Sequence, residues 1–186
     1  MPSFCRRKPA DTAARHDADY KHRNPDGFTY HDCGIIHSDR EVSSMMISTR
    51  GRYALRVMID LAEHSDASYV PMKEVAERQE ISLKYLEKIL PVLAKNRLID
   101  GVHGKGGGYK LTRKPEEYAV GEILRLTEGD LAPVSCLECN AEACARVSEC
   151  RTLPMWSKLQ NIINTYLDGV TIADLMKADP SEMPDA

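Results

Sequence analysis

The sequence predicts a mostly helical protein with one small β-hairpin and one long helix near its C-terminal end. Three observations carry that expectation. Apolar residues recur at helical spacing along most of the patterned chain. One glycine-rich stretch, "GVHGKGGGYKL", is flanked by short strand-like segments. A separate run, "TLPMWSKLQNIINTYLDG", carries a wide apolar stripe well after that hairpin.

Residues 1–44 show neither period. They are rich in Asp, Arg, His and Pro and read as a disordered extension. Met45 and Met46 open the first patterned segment, and a start codon assigned too far upstream would explain the change. From Ser48, the positions Ala54, Leu55, Met58, Leu61 and Ala62 mark a first helix, which Asp66–Ser68 breaks. Val70–Glu80 gives a short second helix, with Pro71 near its start and Met72, Val75 and Ala76 on one face. Ser82 is a suitable cap for a third, whose buried stripe is Leu83, Leu86, Ile89, Leu90 and Leu93. Pro91 inside it should kink the helix or shift its bonding.

Two short helices joined by a tight turn, the second more basic, have the form of a helix-turn-helix. The hairpin then supplies a wing. Ile99 and Val102 precede its turn, Tyr109 and Leu111 follow it, and Lys105 among the glycines makes a cationic tip. A nucleotide-binding loop is the rival reading. Such a loop opens a helix and ends in Lys-Ser/Thr; these glycines open a strand, so no nucleotide is expected. The predicted fold is therefore a winged helix-turn-helix, mostly α with a small β-wing, over residues 45–115.

After it come a short helix and a cysteine-rich loop (116–150), a long helix with a C-terminal turn (151–178) and a tail (179–186). Gly129 can close the short helix. Thr152 can cap the long one, Pro154 suits its first turn, and Gly169 ends it. Its stripe of Met155, Trp156, Leu159, Ile162, Ile163, Tyr166 and Leu167 is more than a small wing domain can cover. That predicts pairing with a second copy, a homodimer.

Charge and composition narrow the function. The 186 residues are 42% hydrophobic and 28% charged, as in ordinary globular proteins. No apolar run approaches the roughly 18 residues that would span a bilayer, and the N-terminus lacks the apolar core of a secretory signal. A cytoplasmic protein with no membrane partner is expected. The net charge of −3 is uneven: Lys and Arg outnumber Asp and Glu twelve to eight over residues 48–113, and are outnumbered six to thirteen over 114–186. The basic segment is where a polyanion would dock. No paired carboxylates and no Ser–His–Asp order point to an enzyme.

Cys136, Cys139, Cys144 and Cys150 stand with two, four and five residues between them. In a reducing compartment such spacing favours metal binding or redox chemistry over disulfides. Four thiols would suit an iron–sulfur cluster, a structural zinc or a thiol switch.

Taken together, "ISTRGRYALRVMIDLAEH", "ISLKYLEKIL", "GVHGKGGGYKL", "LTEG" and the cysteine run before Trp156 resemble the IscR/NsrR-like winged-helix transcriptional regulators of bacteria. The likeness covers Met45 to Met176. It implies a homodimeric repressor on a near-palindromic double-stranded DNA operator. Ser82, Lys84, Tyr85, Glu87 and Lys88 would face the major groove or its phosphates. The wing from His103 through Lys105 to Tyr109 would track the minor groove, and Thr49, Arg50 and Arg52 would lie near backbone phosphates. An Arg often stands at the family position of His103, so minor-groove reading is in doubt there. Lysine and arginine give affinity without sequence choice. Glu87 repels phosphate unless it accepts from a cytosine amino group, or it is simply a solvated helix residue.

The resemblance also implies a 2Fe–2S or 4Fe–4S cluster sensing iron–sulfur, redox or nitric-oxide status. Family members that carry one have three cysteines in this loop, matched best by Cys136, Cys144 and Cys150. Their fourth ligand is a His three residues on, where Leu153 stands, or an acidic residue of the partner's first helix, where Arg52 stands. Neither is available, so Cys139 is expected to complete an all-cysteine site. The alternative is a cluster-free regulator that works through thiol chemistry or docks onto a partner protein.

Overall fold

The computed structural model describes residues 47–64, 68–102, 104, 106–139, 141–142 and 144–179. The expected extension at 1–44 lies outside them, as do His103, Lys105 and the tail beyond 179. The order is α1 (Thr49–His64), α2 (Met72–Gln79), α3 (Leu83–Lys95), β1 (Ile99–Val102), β2 (Gly108–Leu111), α4 (Val120–Glu128), α5 (Leu153–Gly169) and α6 (Ile172–Lys177). The fold is the winged helix expected from the sequence.

The main core is an apolar mass under the helix-turn-helix, with a smaller cluster of Val120, Leu124 and Leu131 beside it. Ala54, Val57, Met58 and Leu61 of α1 meet Val75 of α2, Leu86, Ile89, Leu90 and Leu93 of α3, and Ile123 of α4. Ile172 of α6 is fully buried in the same core, so the chain returns to α1 after the long helix. Leu83 departs from its expected place in the stripe: it is 37% exposed, because it opens α3 before the helix turns into the core. Helix α3 runs through the exposed Pro91 to Lys95 without interruption. Val70 is not helical as expected. It forms an antiparallel bridge with Tyr109, each amide donating to the other's carbonyl at 2.9 Å. This one-residue bridge ties the segment before α2 to the edge of the two-stranded wing. Glu80, at the turn between α2 and α3, is left-handed with φ 53°.

The hairpin pairs Ile99 with Leu111 and Val102 with Gly108. Its tip needs glycine, since Gly104 and Gly106 have φ of 105° and 79°. At its base the buried Tyr118 hydroxyl donates to the Leu98 carbonyl (2.7 Å) and accepts from the Thr112 and Arg113 amides.

One charged group lies inside the core, and the sequence pattern did not mark it. Asp60 of α1 is fully buried. Arg78 grips it with two hydrogen bonds (2.7 and 3.0 Å) and the Gln79 amide adds a third at 2.9 Å. Burial alone would push the carboxyl up. Hydrogen bonds from Arg78 and Gln79, with the charges of Arg78 and His64, outweigh it and hold the pKa below the usual carboxylate value. Arg56 donates to the Gln79 carbonyl and side chain. These contacts fix the end of α2 against α1.

Candidate nucleic-acid interface and cysteine loop

The expected DNA contacts divide into exposed and engaged side chains. Arg50, Arg52, Lys84, Glu87 and Lys88 are exposed. Thr49 is half-buried and accepts from Arg52 at 3.1 Å. Ser82 caps α3 as expected: its hydroxyl accepts from the Tyr85 amide at 3.3 Å. Tyr85 packs edge-on against Tyr53 of α1, ring centroids 5.2 Å apart. That contact brings the second turn of α1 against the first turn of α3. Tyr109 is half-buried, and its backbone bridges Val70.

The end of the long helix is fastened to α4 by a bidentate ion pair and by Leu167, which packs against Val120, Leu124 and Leu131. Arg125 of α4 donates to both Asp168 oxygens (2.7 and 3.0 Å) and to Asn164 (3.1 Å). The α5 stripe is largely open: Met155, Ile162 and Tyr166 are 53%, 56% and 69% exposed.

Between α4 and α5 the loop is held at three places. Asp130 accepts from the amides of Ala132 (2.8 Å) and Cys139 (2.6 Å). The Gln160 side-chain amide of α5 donates to the Leu137 carbonyl at 3.2 Å; its buried oxygen has no partner among the described residues. Cys150 lies 3.4 Å from the Thr152 hydroxyl. This corrects the expected cap. Thr152 makes no side-chain bond to the α5 amides; its hydroxyl lies against the Cys150 thiol instead. The Thr152 hydroxyl, the Thr152 and Leu153 amides and the Arg146 charge favour its thiolate, lowering its pKa below the ordinary thiol value.

Cys136, Cys139 and Cys144 are exposed and Cys150 is half-exposed. Four soft, accessible thiols in one loop suit an iron–sulfur cluster as donors. They are not gathered around a common point: among the described residues, no three His, Cys, Asp or Glu side chains stand within reach of one metal ion. Holding a cluster therefore requires this loop to close. Leu153 begins α5 and Arg52 is tied to Thr49, so neither offers a further ligand. Sequence reasoning missed Asp130, Gln160 and Glu128 as residues that tie the loop and α4 to their surroundings; no motif or period marks them.

A helix-turn-helix with a two-stranded wing and a long external helix defines a winged-helix transcriptional regulator. Residues 47–178 match the family model Rrf2, described as an iron-dependent transcriptional regulator. The chain belongs to the Rrf2 family. It is 37% identical over 132 residues to the transcriptional regulator IscR of Aliivibrio salmonicida, covering 71% of this chain and 77% of that one. It is 39% identical over 133 residues to the protein rrf2 of Nitratidesulfovibrio vulgaris, covering 72% and 88%. Among solved structures, CymR, the global cysteine regulator of B. subtilis, superposes with a TM-score of 0.58 at 32% identity, covering 72% of this chain and 98% of that one. The IscR of T. potens gives 0.57 at 34% identity, covering 76% and 93%. The IscR relative is a helix-turn-helix transcriptional regulator and the family model is that of a transcriptional regulator, which places this chain among DNA-binding regulators.

Proposed function

We propose that the protein is a cytoplasmic homodimeric repressor whose affinity for a near-palindromic operator is set by the state of its cysteine loop. One observation carries the reading. Four accessible thiols lie in a stretch where no described residue between Ala132 and Gln160 is buried, directly between the winged helix and α5. Arg50, Arg52, Lys84 and Lys88 neutralise phosphates, with Thr49 beside Arg52 and Lys105 adding a further cation from the wing sequence. Ser82 and Tyr85 present α3 to the major groove, where Glu87 reads a base. His103 and Tyr109 belong to the wing at the minor groove. The exposed stripe of α5 pairs with its copy.

Cys136, Cys139, Cys144 and Cys150 would hold an iron–sulfur cluster. When bound, it supplies a centre that oxidants and nitric oxide alter. The chain's own part is to give four thiolates and a loop with little packing to oppose its closure. Thiol chemistry without a cluster is the second reading, favoured by Cys150 at the α5 N-terminus. The test compares operator binding of the anaerobic protein with that of Cys→Ser variants. Loop-dependent affinity is expected, with binding that weakens steeply as salt rises. Salt-independent docking to a protein, with no DNA shift, would reject the reading.

A further inference from the structure

Two carboxylates at the end of α4 link the cysteine loop to the start of α1. Glu128 closes α4 and reaches α1. Its oxygens accept from the Ser48 hydroxyl at 2.7 Å and the Ser48 amide at 3.3 Å. The same hydroxyl accepts from the Arg50 amide at 3.0 Å. Glycine at position 51 permits this approach, since a Cβ there would collide with the Glu128 carboxylate. Asp130, two residues on, serves the other side and holds the amides of Ala132 and Cys139. Between them Gly129 is buried with φ 87°, a conformation glycine adopts readily and other residues resist. The backbone of Cys139 is therefore joined to that of Arg50 through Asp130, a tight turn, Glu128 and Ser48.

Charge alone does not explain Glu128. A carboxylate beside a phosphate-facing helix start opposes DNA, although it suits the helix's positive end. Its ordering of Ser48 and Arg50 acts in the opposite direction, by fixing the turn that carries Thr49, Arg50 and Arg52.

We propose that Glu128 and Asp130 are the positioning residues that carry the state of the cysteine loop to the DNA-facing first turn of α1. This rests on the reading that the loop governs DNA binding. Displacing Cys139 releases Asp130, frees the turn at Gly129 and loosens Glu128 from Ser48, so the first turn of α1 is no longer held for phosphate contact.

The test uses the full chain with Cys5→Ser and Cys33→Ser, so that only loop thiols react. The probe is a duplex that the unmodified wild-type protein selects from a random library. Fluorescence anisotropy gives its affinity before and after alkylation with iodoacetamide, and thermal unfolding checks that each variant is folded. The parent should change affinity by about tenfold on alkylation. In Asp130→Ala and Ser48→Ala that change should shrink to within about twofold; Ser48 is exposed, so its variant carries little folding risk. Glu128→Gln should keep most of the response, because its amide oxygen still accepts from the Ser48 hydroxyl, whereas Glu128→Ala should lose it. A parent that responds while Asp130→Ala and Ser48→Ala respond equally would overturn the link and leave the loop reading intact. Equal tightening by Glu128→Gln and Glu128→Ala, with the response unchanged, would show that Glu128 acts by charge alone and overturn it too. A parent that does not respond would overturn both the loop reading and the link.

Discussion

The helix-turn-helix and the cysteine loop are built on opposite principles. In the first, a fully buried carboxylate is matched by Arg78 and Gln79, and five helices contribute buried residues to one apolar core. In the second, no described residue between Ala132 and Gln160 is buried. Rearranging the first strands a charge or opens a cavity; rearranging the second breaks a few hydrogen bonds at the surface. Local opening is easiest where apolar burial is sparse. The proposed function uses both: a reading head of fixed shape and a loop that can adopt a second one.

The largest effect should follow from breaking the buried pair. Arg78→Ala leaves the buried Asp60 carboxylate without its ion-pair partner and with the Gln79 amide alone donating to it, at a cost of about 3 kcal/mol in stability, measurable by urea unfolding. The same pair gives a pH signature. Because the folded pKa of Asp60 is lowered, its contribution is present above the unfolded carboxylate pKa and is lost as pH falls through the lower, folded value. Wild type should lose stability over that acidic window, and Arg78→Ala should show a shallower loss there.

Next in size is the effect of breaking the proposed dimer. Replacing both Ile162 and Ile163 with Glu puts four charges into the paired stripe. Sedimentation should show monomers, and operator affinity should drop about 100-fold as bivalent binding is lost. A surviving dimer would move the interface off α5.

Single DNA contacts should matter less. Lys88→Ala should weaken binding to every sequence and flatten the salt slope by about one unit. Glu87→Ala should relax preference at one base pair by about 1–3 kcal/mol of discrimination. If both mutants lose only stability, these side chains pack and do not read DNA.

The smallest effect is expected in the loop. Cys136→Ser or Cys144→Ser in metal-free protein should change stability by no more than about 0.5 kcal/mol. A larger loss would mean that the loop is part of the fixed fold and would erase the contrast.

What the sequence showed depended on whether a pattern repeats. The stripes of α1 and α3, the Ser82 cap and the glycine tip are local and periodic, so they were legible. The bridge from Val70 to Tyr109 was not, because one residue pairing across 39 positions leaves no period. Leu83 fitted the stripe by spacing, yet the helix begins there before it is covered. Thr152 looked like a cap by residue type, but its hydroxyl lies against the Cys150 thiol and makes no bond to the α5 amides. Asp60, Glu128 and Asp130 were invisible for a different reason: a carboxylate's partner is chosen by tertiary packing, and a solvated acid reads the same in sequence. Sequence showed that the cysteines fall together, but spacing alone does not say how a loop is closed.

The most direct test of the central claim measures iron, sulfide and operator affinity on one anaerobic preparation, before and after chelator treatment. The account predicts stoichiometric iron and sulfide, lost in each of the Cys136→Ser, Cys139→Ser, Cys144→Ser and Cys150→Ser variants, with operator affinity changing about tenfold when the iron is removed. Stoichiometric zinc without sulfide, or affinity that ignores the loss of iron, would contradict it.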